Sequence, residues 1–324
     1  MVDIDPDPYV RGILSGHRRM IAKTMTLIES SLKEHQQAAF RVMEKILPHT
    51  GNSIRLGVTG VPGVGKSTFI ESLGVYLADQ GHRVAVLAVD PSSRRSGGSI
   101  LGDKTRMEKL AAHENAFIRP SPAGDTLGGV AAKTREIMLV CEAAGFDVIL
   151  VETVGVGQSE TSVASMVDFF LVLMIAGAGD ELQGIKKGVL EMADGIAINK
   201  ADGDNLTAVE KAKTDLETAL HFIRPETPTW SPPVLTCSSV NEGGTKNVWD
   251  MVLDHNRKFK ATGEFMQRRR HQSLDWMWTL VEAGLRKRFH NNKTINEKIP
   301  AISHQVENEK ISPSAAADLL LSYL

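Results

Sequence analysis

Residues 60–68, GVPGVGKST, have the composition and spacing of a loop that binds phosphate groups. They match the pattern G-x-x-x-x-G-K-[ST], with the strand-like run IRLGVT before them and a helical pattern after them. Glycine at two of these positions permits backbone angles that turn successive amide N–H groups towards an anion. We expect the Lys66 ammonium to reach the β and γ phosphates and the Ser67 hydroxyl to ligate Mg²⁺. The predicted nucleotide-binding residues of this loop are Gly63, Val64, Gly65, Lys66, Ser67 and Thr68.

A second motif, Asn199-Lys200-Ala201-Asp202, follows the apolar run GIAI. The Asp202 carboxylate can accept hydrogen bonds from the ring N–H and the exocyclic amine of guanine, a donor pair that adenine lacks. The Lys200 stem is expected to lie along the face of the base. The motif therefore favours GTP over ATP. The predicted base-binding residues are Asn199, Lys200 and Asp202, with Ser238 and Ser239 after the run VLTC expected to offer a loop amide to the guanine carbonyl.

Several acids are candidates to hold a metal ion. In residues 146–158, FDVILVETVGVGQ, Glu152 ends an apolar run and Gly155 follows three residues later. We predict that Glu152 holds Mg²⁺, directly or through water, and that Gly155 donates its N–H to the γ-phosphate, so that the next loop responds to hydrolysis. Asp90 ends the run RVAVLAV, and Asp103 lies in the Gly/Ser/Arg-rich segment after it. The alternative for Glu152 is a buried strand that merely ends on a glutamate. The predicted catalytic residues are Lys66, Asp90, Glu152 and Gly155.

Short β-branched runs alternate with helical patterns from residue 54 to about 240. This alternation predicts an α/β fold of the P-loop NTPase type, a doubly wound and mostly parallel sheet with the ligand beyond the carboxyl ends of the strands. We predict an N-terminal helical extension over residues 1–50, with two helices, a nucleotide-binding domain over 51–262 and a C-terminal helical arm over 263–324. Arg268, Arg269 and Arg270 in the arm are expected to be solvated.

Composition narrows the classes of function. The net charge is −2 and no apolar run reaches the 18 or so residues that span a bilayer. We therefore expect no nucleic-acid partner, no membrane and a cytoplasmic protein. The start, MVDIDPDPYV, lacks the apolar stretch of a signal peptide. Cys141 and Cys237 lie in separate apolar segments and are expected to be buried thiols.

The phosphate loop, VDPSS, ETVGVGQSE, NKAD and the helical C-terminal region together resemble the MeaB/ArgK family of GTPases. That resemblance implies a GTP-hydrolysing chaperone that uses Mg²⁺, associates with adenosylcobalamin-dependent methylmalonyl-CoA mutase, and gates the loading, protection or reactivation of its cobalamin cofactor. It also implies a nucleotide-sensitive switch in residues 177–188. The candidates for relaying nucleotide state to a partner are Arg106, Asp180, Glu181, Gln183 and Lys186.

Two features of the sequence concern rate and assembly. Val156 follows Gly155 where small GTPases carry a water-orienting glutamine, so we expect slow intrinsic hydrolysis, with Gln158 a weak substitute. An apolar seam on the arm suits another helix, and relatives of the resembled family dimerise this way, so we expect a homodimer. The seam consists of Leu274, Trp278, Val281 and Leu285.

Alternative functions remain open on the sequence. A GTPase that inserts nickel or cobalt into another enzyme has the same fold, but this chain lacks clustered cysteine or histidine to hold the ion. The NKAD motif argues against a P-loop kinase. A purely structural dimer would not need the residues proposed to bind nucleotide, yet the chain retains Lys66, Ser67, Glu152 and Asp202.

Overall fold

The computed structural model describes residues 4–89, 107–120, 127–153, 159–176, 187–220, 227–240 and 243–324. Its contacts divide the chain into two compact units, residues 1–269 and 270–324. The larger unit contains the residues predicted to bind nucleotide.

A sheet of seven parallel strands forms the centre of the larger unit, in the order β3-β2-β4-β1-β5-β6-β7. Its strands lie in the predicted β-branched runs between residue 54 and about 240, and most of their residues are buried because helices cover both faces. The strands are β1 Ile54–Gly60, β2 Val84–Val89, β3 Ala116–Arg119, β4 Val148–Thr153, β5 Phe169–Ile175, β6 Gly195–Asn199 and β7 Val234–Thr236. The prediction of a doubly wound α/β fold is confirmed, and the sheet is wholly parallel.

Helices connect the strands within this unit. The crossovers place them on the two faces of the sheet, where their apolar sides complete two hydrophobic clusters. In chain order they are α1 Asp7–Leu14, α2 Arg18–Glu29, α3 Lys33–Ile46, α4 Lys66–Asp79, α5 Glu108–Ala112, α6 Leu127–Ala143, α7 Ser159–Ala164, α8 Lys187–Glu191, α9 Leu206–Leu220 and α10 Thr245–Thr262. A further helix, α11 Glu264–Asn291, begins in this unit and continues into the smaller one.

Three helices, not the predicted two, precede the sheet. The break lies at Gly16, whose φ of +68° is left-handed and ends the first helix. Ile13, Ile21 and Met25 from the first two helices are fully buried in the core cluster that also contains Val140 of α6. Periodicity identified these helices as apolar on one side, but the turn between the first two is only three residues long and leaves the helical spacing of Ile13, Met20 and Ile21 uninterrupted.

The expectation that Arg268 and Arg269 are solvated is wrong, whereas Arg270 is exposed. Arg268 and Arg269 lie in the first turns of α11 and bind buried acids that precede strands β5 and β6. Arg269 pairs with Asp168 at 2.7 Å, and Arg268 pairs with Asp194 at 2.9 Å. A run of three arginines resembles a solvated face in the sequence, because partners more than seventy residues away cannot be read from it.

His255 of α10 is buried in an aromatic cluster close to Asp194. Its ring stacks on Phe259 with centroids 3.9 Å apart, and Phe169 and Trp230 meet it edge-on. Burial and, second, the positive charge of the nearby Arg268 lower the pKa of His255 from its ordinary value of 6.5 to about 3. The imidazole is therefore neutral at physiological pH, so its 3.6 Å approach to Asp194 is not an ion pair.

We expect His255 to make the fold sensitive to acid. A histidine whose pKa is lower in the folded than in the unfolded protein loses its stabilising contribution as pH falls through the unfolded value towards the folded one, here from about 6.5 to about 3. Between pH 8 and 5.5 this should cost on the order of 1 kcal/mol of unfolding free energy. Urea unfolding of His255→Asn at both pH values should show that much less pH dependence than the parent. His304→Asn, at an exposed histidine, should match the parent, and equal pH dependence in all three proteins would contradict the assignment.

The smaller unit, residues 270–324, consists of helices joined by short turns, as expected. It contains most of α11, then α12 Lys293–Glu307 and α13 Pro313–Leu321. The break between α11 and α12 is a single residue, Asn292, whose side chain accepts a hydrogen bond from the Ile295 amide and starts the next helix.

Candidate phosphate and guanine site

The phosphate loop joins β1 to α4, as the motif requires. Gly60 and Gly65 have φ of 151° and 94°, and a Cβ atom at Gly60 would lie 2.4 Å from the Leu173 carbonyl oxygen. At Gly65 a Cβ atom would lie 2.8 Å from Asn199 Nδ2. Only glycine fits either position without displacing its neighbours. Helix α4 begins immediately afterwards at Lys66, so its positive dipole end faces the loop.

Lys66 lies inside the curve of this loop and is only 8% exposed. Its ammonium donates hydrogen bonds to the carbonyl oxygens of Gly60 at 2.8 Å and Val61 at 3.2 Å. Burial lowers the pKa of Lys66, while the carboxylates of Glu152 and then Glu160 act in the opposite direction. The lysine is thus held in the loop by exchangeable carbonyl contacts, and phosphate oxygens arriving there would meet a poorly hydrated cation.

The two predicted metal-holding groups within the described residues meet beside this lysine. Strand β4 pairs with β1 so that Glu152 lies opposite Val58, and the Ser67 hydroxyl donates to Glu152 Oε1 at 2.8 Å. Glu152 is 9% exposed at the end of its strand. A hydroxyl and a carboxylate side by side are oxygen donors of the kind that Mg²⁺ binds. The residues present therefore fit a magnesium ion shared between the phosphate loop and β4.

The NKAD motif is hydrogen-bonded directly to the phosphate loop. Asn199, 2% exposed at the end of β6, donates from Nδ2 to the Val64 carbonyl at 2.8 Å. Its Oδ1 accepts from the Ser239 hydroxyl at 2.8 Å and from the Ser239 amide at 3.2 Å. These hydrogen bonds of Asn199 thus hold the phosphate loop and the loop after β7 next to the end of β6. The Ser239 amide predicted to face guanine is used in this internal bond.

Asp202 is oriented by the loop after β7. The Ser238 hydroxyl donates to Asp202 Oδ2, and the Ala201 amide donates to the Cys237 carbonyl at 3.0 Å. Lys200, which directly precedes Ala201, has a φ of 60°, an unusual angle for a residue with a side chain, and turns the chain at the end of β6. These contacts hold the Asp202 carboxylate in place beyond the end of β6, where we expect a base to bind.

Other predicted site residues lie outside the residues that the structure describes. They are Asp90, Asp103, Arg106, Gly155, Gln158, Asp180, Glu181, Gln183 and Lys186. Of the remainder, Gly63 has a φ of 82° in the phosphate loop and Thr68 is exposed in the first turn of α4.

Sequence reasoning missed two features near the site. Thr153, the last residue of β4, donates its hydroxyl to the Thr59 hydroxyl at 2.8 Å and so ties the two central strands together below the phosphate loop. Glu160, in the first turn of α7, is buried and acts electrostatically on Lys66. The only sequence signal for Glu160 was its place in GQSE, a motif of the resembled family, and that motif does not indicate an effect on the pKa of Lys66.

Fold and site together define a P-loop nucleotide-binding protein. The chain matches the model of the family described as methylmalonyl Co-A mutase-associated GTPase MeaB over residues 21–294. It is 51% identical to a putative GTPase of Caulobacter vibrioides, over 98% of both chains, and 47% identical to GTPase ArgK of Escherichia coli, over 97% of this chain and 95% of that one. The solved structure of a protein named LAO/AO transport system kinase is 40% identical, with a TM-score of 0.80, and covers 100% of this chain and 98% of that chain. This chain belongs to the MeaB family of GTPases, as its motifs indicated.

No helix in the part of the chain that the structure describes is long and apolar enough to cross a membrane. Both cysteines are buried free thiols, as expected.

Proposed function

We propose that this protein binds and hydrolyses GTP and that its nucleotide state controls an adenosylcobalamin-dependent methylmalonyl-CoA mutase. The observation that carries the first part is the hydrogen-bonded assembly of phosphate loop, strand-end acid and base-reading motif. Membership of a family described as mutase-associated GTPases supports the second part. In this proposal the GTPase gates the loading, protection or reactivation of the mutase cofactor.

The residues have separate roles in this reaction. Lys66 exchanges its carbonyl contacts for β and γ phosphate oxygens and stabilises the charge that builds up on them. Ser67 and Glu152 hold Mg²⁺, with Asp90 and Asp103 as further proposed ligands. The ion, when bound, neutralises phosphate charge during transfer to water. Gly155 is proposed to sense the γ-phosphate.

The base-reading residues give the site its preference for guanine. Asp202 accepts from two guanine donors, and the Ser238 contact keeps its carboxylate pointed at the edge of the site. The Lys200 stem covers one face of the base. Because Asn199 connects this motif to the Val64 carbonyl, binding of the base also steadies the phosphate loop.

Intrinsic hydrolysis should be slow, and the mutase should accelerate it. Single-turnover hydrolysis of radiolabelled GTP by the protein alone is expected at well below about 1 s⁻¹, the low end of ordinary enzyme rates. Purified methylmalonyl-CoA mutase should raise the rate by supplying or ordering a water-positioning group. In the same preparations, capture of the mutase on the tagged protein should differ between GDP and a non-hydrolysable GTP analogue. No capture in either state would contradict the mutase assignment while leaving the GTPase assignment intact.

The kinase alternative is distinguished by the same labelled nucleotide. The similar solved structure belongs to a protein named as a kinase, and a kinase would transfer the label to an acceptor. We propose instead that the label appears as inorganic phosphate, because the NKAD motif proposed to bind guanine is hydrogen-bonded to the phosphate loop. A protein that inserts a metal into another enzyme remains a weaker proposal, because no group of His, Cys, Asp and Glu suited to hold a metal ion occurs within the ranges that the structure covers.

We propose that the smaller unit forms a homodimer through the seam on α11. Leu274, Trp278, Val281 and Leu285 are 53%, 59%, 41% and 48% exposed and recur at helical spacing on one face. Four large apolar side chains in a line on a helix are typical of a helix–helix interface. A groove along the same face is lined by Met277, Leu280 and Val281, among others.

Trp278→Glu is therefore expected to give a monomer in sedimentation analysis where the parent sediments as a dimer. A charge in the centre of an apolar interface has to be desolvated without a partner, which costs several kcal/mol. Lys287→Glu changes an exposed residue on the opposite side of the same helix and should leave the dimer intact. A parent protein that sediments as a monomer at high concentration would contradict the proposal.

A further inference from the structure

Thr59 and Thr153 form a buried pair of hydroxyl groups at the ends of the two central strands. They are 1% and 0% exposed, and the Thr153 hydroxyl donates to the Thr59 hydroxyl at 2.8 Å. A buried hydroxyl without a partner costs free energy, so the pair is stable only while the two strand ends keep this distance. The hydrogen bond therefore opposes any displacement of the end of β4 relative to β1.

The hydrogen bond lies where the backbone alignment of these two strands stops. β1 and β4 are aligned with each other up to the residue before each threonine. Thr59 itself is aligned with Val172 of β5, and Thr153 is aligned with Val89 of β2. The two hydroxyls thus continue the contact between β1 and β4 by one residue, up to the last residue of β4.

Each threonine directly adjoins groups that we assign to the reaction. Thr59 precedes Gly60, whose carbonyl accepts from the ammonium of the phosphate-loop lysine at 2.8 Å. Thr153 follows Glu152, which accepts from the Ser67 hydroxyl at 2.8 Å. Neighbouring side chains of a strand point to opposite faces, so the threonine contact holds the end of β4 from the face opposite to the carboxylate. The pair therefore keeps this carboxylate at a constant distance from the phosphate loop.

We infer that Thr153 and Thr59 are positioning residues that keep the strand-end carboxylate and the proposed γ-phosphate contact aligned with the phosphate loop during GTP hydrolysis. The inference rests on the proposed function, because it requires Mg²⁺ and a γ-phosphate at this site. GDP has no γ-phosphate, so its binding depends less on the end of β4 than hydrolysis does. Loss of the hydroxyl contact should therefore lower the rate of hydrolysis much more than the affinity for GDP.

Single-turnover hydrolysis of radiolabelled GTP by the full-length protein tests the pair. Thr153→Val has the shape of threonine without the hydroxyl and should hydrolyse GTP about tenfold more slowly, since small misplacements of reacting groups have large effects on rate. Its affinity for fluorescent mant-GDP should stay close to that of the parent. Thr153→Ser, which keeps the hydroxyl, should retain most of the parent rate. Thr24→Val makes the same change at a buried threonine of α2, which donates to the Met20 carbonyl, and should hydrolyse GTP at the parent rate.

The double variant Thr59→Val/Thr153→Val separates positioning from a merely structural role. Each single variant leaves one buried hydroxyl without its partner and should lower Tm, whereas replacing both by apolar groups of the same shape should restore most of the lost stability. The hydroxyl contact is absent from all three variants, so the double variant should hydrolyse GTP as slowly as either single variant. A double variant that recovers the parent rate together with Tm would show a structural role alone and overturn the inference.

The same measurements distinguish failure of the inference from failure of the proposed function. Parent-like hydrolysis by Thr153→Val, a Thr153→Ser variant as slow as Thr153→Val, or a loss of mant-GDP affinity as large as the loss of rate would overturn the inference alone. Failure of the parent protein to bind mant-GDP or to hydrolyse GTP would overturn the proposed function and this inference with it.

Discussion

Lys66→Ala is expected to bind GTP at least about a hundredfold more weakly than the parent and to show no measurable hydrolysis. Each hydrogen bond to a charged group contributes about 1.5–3 kcal/mol, and the ammonium is proposed to make two with phosphate oxygens. Its charge also offsets the charge that develops during transfer, so the loss in rate should exceed the loss in affinity. Isothermal calorimetry and single-turnover hydrolysis measure the two effects separately.

The control for this variant has to address folding, because Lys66 is buried and bonded to the carbonyls of Gly60 and Val61. Circular dichroism and Tm of Lys66→Ala without nucleotide report whether the loop change spreads to the sheet. Lys246→Ala removes an exposed lysine from the first turn of another helix, α10, and should bind GTP as the parent does. Parent-like binding and hydrolysis by a folded Lys66→Ala would remove the basis of the proposed site.

Local sequence patterns predicted the strands, the helices and the phosphate loop, because each of these depends mainly on residues close together in sequence. Alternating apolar runs and helical patterns indicated a mostly parallel sheet, and the run that ends on Glu152 forms β4, beside β1. Glycine spacing around Lys66 predicted the loop because its backbone angles exclude residues with a Cβ atom. For the strands, the helices and the phosphate loop, the structure expected from neighbouring residues is therefore the structure found in the fold.

The remaining features depend on partners distant in sequence, which the single sequence does not reveal. Arg269 is an example, since it binds Asp168 and the Gly51 and Ser53 carbonyls, all contributed by other segments. Asn199 is another: its motif identified a base reader, yet its described hydrogen bonds go to Val64, Ser239 and the Cys237 thiol. Periodicity and motif spacing indicate which residues are polar or apolar, whereas these contacts depend on which strands become neighbours.

Asn199 and Asp202 have different roles in the NKAD motif, and the second large effect is expected from substituting Asp202. Asn199 is held by protein contacts and Asp202 is held at the edge by the Ser238 hydroxyl, so Asp202 is the residue placed to select the base. A carboxylate offers only acceptors, which match the ring N–H and the amine of guanine. An asparagine in the same place offers one acceptor and one donor, and the Ser238 hydroxyl can accept from or donate to it.

Asp202→Asn is therefore expected to bind GTP about a hundredfold or more weakly and to gain affinity for xanthosine triphosphate. Xanthine carries a carbonyl where guanine carries its amine. The asparagine N–H can donate to that carbonyl oxygen while the asparagine oxygen still accepts from the ring N–H. With GTP, the asparagine N–H and the guanine amine are both donors and are left without a partner, which accounts for the lost affinity. Competition against mant-GDP measures both affinities. Asp202→Ala, which removes acceptor and donor together, should lose GTP without gaining the xanthine nucleotide. If Asp202→Asn keeps the preference of the parent for GTP, the base is read by other residues and the assignment of Asp202 is wrong.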